Sequence, residues 1–211
     1  ILVGGKMELI KTRYTYSPQK FLAMQYLLDR ASAYGYAPEA RMFAISITSP
    51  ELMGIALSQG NDSVWAGSLE GKIFLSTATD GWSDFDLIAT IDGRVNELQI
   101  GPNGRLFAAC KAKGSGYGKI LSSIDGGLSW RVDKDGSEAG IYSLNTITFF
   151  DGRFGFAAGD YGSFLNTGDG GITWWADAAP SQFSYRNING SAATGPVHFW
   201  VVTDAGYLYE S

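Results

Sequence analysis

Two short turns in the chain are near copies of one another. Residues 123–130 read SIDGGLSW and residues 167–174 read TGDGGITW. Gly118 and Gly162, Asp125 and Asp169, and Trp130 and Trp174 share one spacing of 44 residues. A fixed period of this length means that the chain is built from repeated supersecondary units, each needing its neighbours to bury its apolar faces. Residues 64–81, VWAGSLEGKIFLSTATDG, fit the same frame, and Gly206 follows Gly162 at the same step. A weaker copy lies near the start, where residues 14–24 match residues 98–109.

Each unit divides into four short segments. In the fourth they are Asn145–Phe150, Arg153–Gly159, Ser163–Thr167 and Ile172–Ala176, separated by Asp151-Gly152, Asp160-Tyr161-Gly162 and Asp169-Gly170-Gly171. Gly and Asp accept the positive-φ conformations of tight hairpins, so the segments are expected to be strands. Four strands at a period of roughly 44 residues describe a propeller blade. The expected fold is therefore all-β. It is a small β-propeller of about five four-stranded blades, forming a single domain over 1–211. The blades lie near 11–48, 52–90, 95–133, 143–178, and 184–211 plus 1–5. The last unit lacks an outer strand, and the N-terminal Ile1-Leu2-Val3 is expected to supply it and close the ring.

Composition narrows the function classes. The net charge is −5 and no Lys/Arg run occurs, so no nucleic-acid partner is expected. No run of 18 apolar residues is present, so no membrane span is expected. A single cysteine, Cys110, gives no intramolecular disulfide and no cysteine-rich zinc site. No phosphate loop of the GxxxxGK[ST] type is found. No cofactor and no metal are expected. The compartment is left open, with an extracellular or virion setting as the expectation.

The two turns carry a spacing with a physical reason. Asp125 and Asp169 can accept hydrogen bonds from turn amides. Gly127 and Gly171 take backbone conformations other residues avoid. Ser123 and Thr167 open the turns, and Trp130 and Trp174 close them by burying a large ring. All eight are read as structural. Residues 76–85 are a degenerate copy with Phe85 in place of Trp.

These units, especially ITFFDGRFGFAAGDYGSFLNTGDGGITWW, resemble the BNR/Asp-box repeat superfamily, and most nearly its photosystem II stability/assembly-factor-like repeats. The resemblance implies a non-enzymatic propeller that binds other proteins. Relatives of this repeat occur in bacteria and bacteriophages, so a protein partner within a larger assembly, including a phage or virion component, is the leading expectation. A lectin-like, glycan-binding propeller is the alternative, and an Asp-box glycosidase of sialidase type is a third.

The catalytic reading has little to stand on in the residues. The sialidase arginine triad and its Arg-(Ile/Leu)-Pro motif do not appear. Asp92, Glu97 and Glu138 are read as solvated loop acids, His198 as a packed or hydrogen-bonded histidine, and Cys110 as a packed apolar residue. No catalytic residue is assigned. The turns after the second strand of each unit, and the connections between units, are expected to share one face. That face gathers Lys111, Lys113, Tyr117, Tyr142, Asp160, Tyr161, Tyr185 and Arg186, and is the candidate partner-binding surface. The glycosylation-type triplets at Asn61 and Asn189 are read as lying in turns.

Overall fold

In a computed structural model of the chain, residues 2–3, 6–7, 51–58, 60, 62–80, 84–177, 185–195 and 198–210 are described. From residue 52 onward the chain runs as successive antiparallel meanders. β3 (Leu52–Leu57), β4 (Ser63–Ser68), β5 (Lys72–Thr77) and β6 (Asp86–Thr90) form the first. β7 (Arg94–Ile100), β8 (Leu106–Lys111), β9 (Gly118–Ser123) and β10 (Arg131–Asp135) form the second. β11 (Leu144–Phe149), β12 (Gly155–Gly159), β13 (Phe164–Thr167) and β14 (Trp175–Ala176) form the third. β15 (Ile188–Gly195), β16 (His198–Thr203) and β17 (Leu208–Glu210) form a three-stranded fourth.

The core lies between sheets. Trp65 and Ile73 of the first sheet pack with Val95, Leu98, Leu106 and Cys110 of the second. Phe107 and Ile120 of the second pack with Leu144, Ile147, Leu165 and Trp174 of the third. Phe156 and Phe164 of the third pack with Ile188 and Val201 of the fourth. A sheet covered on both faces cannot alternate polar and apolar residues. Accordingly β12 is buried at every position, and β8 at every position up to Cys110.

The innermost strands β3, β7, β11 and β15 share one irregularity. The pairing register slips between Leu52 and Gly54, Val95 and Glu97, Leu144 and Thr146, and Ile188 and Gly190. A bulge of this kind leaves one residue out of the ladder and re-aims its side chain. The residues left out are Met53, Asn96, Asn145 and Asn189.

Several expectations need adjustment. β14 is only two residues long, because Ile172–Trp174 are held in the preceding turn, where Ile172 and Thr173 donate their N–H groups to Asp169. Asn189 lies in β15 and not in a turn, whereas Asn61 lies outside the described residues. The weak first unit near 11–48 also lies outside them, as do residues 81–83 of the degenerate copy. The chain divides into two units, Ile1–Ala44 and Ile45–Ser211. Within the first, β1 (Leu2–Val3) pairs antiparallel with β2 (Lys6–Met7). The pairing described for the N-terminal strand is thus with its own hairpin partner.

Candidate functional site

Loops on one side of the sheets interlock. The Asp160 N–H donates to the Ser143 carbonyl at 2.8 Å, and the Gly162 N–H to the Arg186 carbonyl at 2.7 Å. These bonds tie the β12–β13 turn to the connections that precede and follow its sheet. Tyr117, between β8 and β9, forms a bridge with Tyr142, which precedes β11.

Two cavities open here. The larger, about 850 Å³, is lined by Glu70, Arg94, Lys111 and Lys113 with the glycines 93, 114 and 116. The second, about 500 Å³, is lined by Met53, Asn96, Asn145 and Asn189, the four bulge residues, together with Glu97 and Asp160. Arg94 and Lys111 line both. Glu70 is engaged by Lys72 at 2.7 Å. Among the described residues, Arg94, Lys111 and Lys113 have no carboxylate partner. Three cations without a carboxylate partner among the described residues, at one opening of a chain of net charge −5, set up a local field that favours an anionic visitor.

The asparagines explain why the second cavity is polar. Asn96 Nδ2 donates to the Leu144 carbonyl (2.7 Å) and the Ser143 hydroxyl (3.0 Å) of the next sheet. Asn145 Nδ2 donates to Asp160 Oδ1 (2.8 Å) and to the Ile188 carbonyl (3.1 Å) of the sheet after that. Glu97 departs from its reading as a solvated loop acid. It sits on β7, mostly buried, and its carboxylate accepts the Ile147 N–H at 2.6 Å. Burial pushes its carboxyl above the usual range, opposed by the Ile147 and Thr146 hydrogen bonds.

The candidate face residues do not all meet. Lys111 and Lys113 share the larger cavity, and Asp160 lines the smaller. Tyr142 contacts both Tyr117 (centroids 5.9 Å apart) and Tyr161 (4.8 Å). Tyr185 stands exposed and contacts none of these rings, while Arg186 lies over Tyr207 at 5.2 Å. Arg94, Asn96 and Asn145 escaped the sequence reading as site residues, and Asn189 entered it only as a glycosylation-type triplet. The signal was present as an asparagine following an aliphatic residue in Val95-Asn96, Leu144-Asn145 and Ile188-Asn189.

The Asp-Gly-Gly turns lie on the other side, with the β7–β8 and β11–β12 turns; the Gly170 N–H reaches the Arg153 carbonyl at 2.7 Å. Asp125 accepts from the Ser129 N–H (2.9 Å), the Ser129 hydroxyl (2.5 Å) and the Ser123 hydroxyl (2.7 Å). Asp169 accepts the equivalent set from Thr173 and Thr167. Ser123 and Thr167 in turn accept the Gly127 and Gly171 N–H groups. Trp130 and Trp174 donate their indole N–H to the carbonyls of Gly127 and Gly171. Ser129, with Ser123 behind it, draws the Asp125 carboxyl down to about 2. For Asp169 burial acts upward, but the Thr173 and Thr167 hydrogen bonds outweigh it and hold the carboxyl low. Carboxylates so engaged are poor proton acceptors at neutral pH. Burial pushes the Cys110 thiol up to about 12, which leaves it a packing group. His198 is exposed between Thr194 (3.2 Å) and Glu210 (2.9 Å).

YCF48 from Cyanidioschyzon merolae superimposes with a TM-score of 0.58 at 16% identity, covering 86% of this chain and 56% of that one. A YCF48 structure bound to a D1 peptide gives 0.58 at 18% identity, covering 78% and 51%. The WD40 propeller domain of Doa1 gives 0.55 at 11% identity, covering 75% and 50%. The fold is that of a β-propeller. The chain spans about half the length of these solved propellers. No family model matches it, and no curated protein sequence does. In propeller terms the four described meanders are blades, and the bulged strands, which contact one another from sheet to sheet, are the inner ones.

Proposed function

We propose that this propeller is a non-catalytic interaction module that takes an extended, acidic segment of a protein partner across the face carrying the two cavities. The observation that carries the reading is the set of cations Arg94, Lys111 and Lys113, without a carboxylate partner among the described residues, lining the larger cavity beside the exposed tyrosines. A peptide-bound propeller of the same fold supports a peptide as the form of the partner. The two Asp-Gly-Gly turns are, in this reading, Asp boxes of the BNR type that brace the opposite face. A ring of five blades, completed by the N-terminal segment, belongs to the same proposal.

A fluorescein-labelled peptide of alternating Asp and Gly, titrated with the full chain, tests the charge argument by anisotropy. Saturable binding is expected, weakening with salt and lost on Lys111→Glu/Lys113→Glu. Equal binding of a Lys/Gly peptide, or indifference to the double charge reversal, would sink the reading.

A further inference from the structure

The second blade sets two cations directly opposite each other. Arg94 of β7 and Lys111 of β8 are register partners at the end of their ladder, so their side chains share one side of the sheet, where like charges are destabilising. The repeat does not call for this pairing. The corresponding positions, one step beyond the pairs Leu52–Ser68, Leu144–Gly159 and Ile188–Thr203, hold Glu51 with Leu69, Ser143 with Asp160, and Asn187 with Asp204. In each, the second residue donates its N–H to the carbonyl of the first, at 3.1, 2.8 and 3.0 Å. Among the described blades only the second puts two cations there.

The same blade carries an altered turn beside the pair. Residues 112–117 join β8 to β9, whereas 69–71, 160–163 and 204–207 make the corresponding connections. The longer turn reads Ala-Lys-Gly-Ser-Gly-Tyr. Its base is pinned by the Ala112 N–H on the Tyr117 carbonyl at 2.8 Å and the Gly118 N–H on the Ile141 carbonyl at 2.9 Å. The Ser115 hydroxyl oxygen accepts the Tyr117 N–H at 3.3 Å. Among the described residues, the N–H groups of Lys113, Gly114 and Gly116 meet no acceptor. Gly114 stands at φ +72° with open space where a Cβ would be, and a Cβ on Gly116 would meet only Tyr142, at 3.8 Å. Backbone bare of side chains lets a ligand approach closely.

Turn and cation pair meet at one cavity. Arg94, Lys111, Lys113, Gly114, Ser115 and Gly116 all line the opening of about 850 Å³. Glu70, the carboxylate among its described lining residues, is neutralised by Lys72 at 2.7 Å. Glu97 and Asp160 of the neighbouring cavity are taken up by the Ile147 N–H and the Asn145 amide, and neither pairs with Arg94 or Lys111.

We infer that this cavity is a phosphoryl-group site, and that the partner segment enters it with a phosphorylated serine or threonine. The inference rests on the partner face proposed above and names the chemical group that anchors the segment. A side-chain carboxylate brings one charge and two acceptor oxygens. A phosphorylated side chain brings about −1.5 to −2 charge at pH 7 and three strong acceptor oxygens. Three cations, three N–H groups and the Ser115 hydroxyl at one opening outnumber what a carboxylate can engage and match the larger charge. The phosphoryl group also supplies the negative charge that the Arg94–Lys111 pair lacks, which accounts for a pairing the other described blades avoid.

The test uses the full chain and two fluorescein-labelled peptides of alternating Asp and Gly, read by anisotropy. They are identical except that the central Asp of one is phosphoserine. The phosphopeptide is expected to bind at least about ten-fold tighter, through added charge-assisted hydrogen bonds. Arg94→Gln and Lys113→Gln should each cut that advantage at least about three-fold, by removing one charged donor. Arg94→Gln should melt no lower than the wild-type chain, because it relieves the like-charge pair, and this separates a lost contact from a damaged fold. An advantage that survives both substitutions would overturn the inference. Displacement of the phosphopeptide by an equimolar amount of inorganic phosphate would overturn it too, because the free anion would then be the occupant. If the two peptides bind equally well, the partner face stands and only the phosphoryl assignment falls. If neither binds, both fall.

Discussion

Asn96 donates from its side-chain amide to the main-chain carbonyl of Leu144, 2.7 Å away on the innermost strand of the next blade. Asn145 repeats the contact one blade further round, to Ile188. Each is the residue left out of the ladder by the bulge in its own strand, so one backbone irregularity, repeated, makes one inter-blade clasp, repeated. Removing the donor strands a carbonyl on that inner strand and deletes the bonds to Ser143 and Asn145 as well. Asn96→Ala is expected to cost about 1–3 kcal/mol, measured by urea unfolding, with little change in m-value.

Trp174 is only 6% exposed and packs edge-on against Phe107 across the blade boundary and against Phe149 of its own blade. Trp174→Ala should cost about 3–5 kcal/mol, the range for emptying a large aromatic site. Gly171→Ala should be damaging for a separate reason. Its φ is +82°, and a Cβ there would stand 2.5 Å from the Phe107 ring. Thermal melts of the two variants check both expectations.

Acid should loosen the turns bearing Asp125. Its carboxyl falls from the ordinary 3.8 to about 2 in the folded chain, chiefly through Ser129. The unfolded chain therefore binds the proton first as pH drops. The stabilisation is complete above the ordinary value and is lost between it and about 2. Asp125→Asn should flatten this part of the stability-versus-pH curve, followed by Tm from pH 5 to pH 2.

Glu97 should behave with the opposite sign. Its folded carboxyl is raised above the ordinary 4.5 by burial, so the folded chain holds the proton more tightly than the unfolded one. Its contribution to stability is greatest below the ordinary value and declines as pH rises through the raised one. Glu97→Gln keeps an acceptor for the Ile147 N–H and removes the charge. The variant should therefore match wild type at acidic pH and exceed it in Tm at neutral pH.

The sheet order was legible from the chain because turn chemistry repeats with the fold. Asp160-Tyr161-Gly162 and Asp169-Gly170-Gly171 bound the segments that became β12, β13 and β14, and the apolar run in 155–159 became a strand buried on both faces. The length of β14 was overstated, since Ile172–Trp174 alternate like a strand but are tied to Asp169. The candidate face was legible in part. Lys111 and Lys113 do meet at a cavity, whereas Tyr185 stands apart from Tyr117, Tyr142 and Tyr161. Glu97 and Asn96 were misread or missed because a bulge shifts side chains off the alternation that a strand pattern assumes. Nothing in Val95-Asn96-Glu97 taken alone announces that slip; only its recurrence at 144–146 and 188–190 does.

The most direct test of a protein-binding face is native mass spectrometry of the chain captured with its partner from source cells, compared with the Lys111→Glu/Lys113→Glu variant. The predicted result is a stoichiometric complex for the wild-type chain and a bare 22.7 kDa species for the variant, with both showing the same thermal melt. A wild-type chain that emerges only at 22.7 kDa, or a complex that survives the charge reversal intact, would contradict the account.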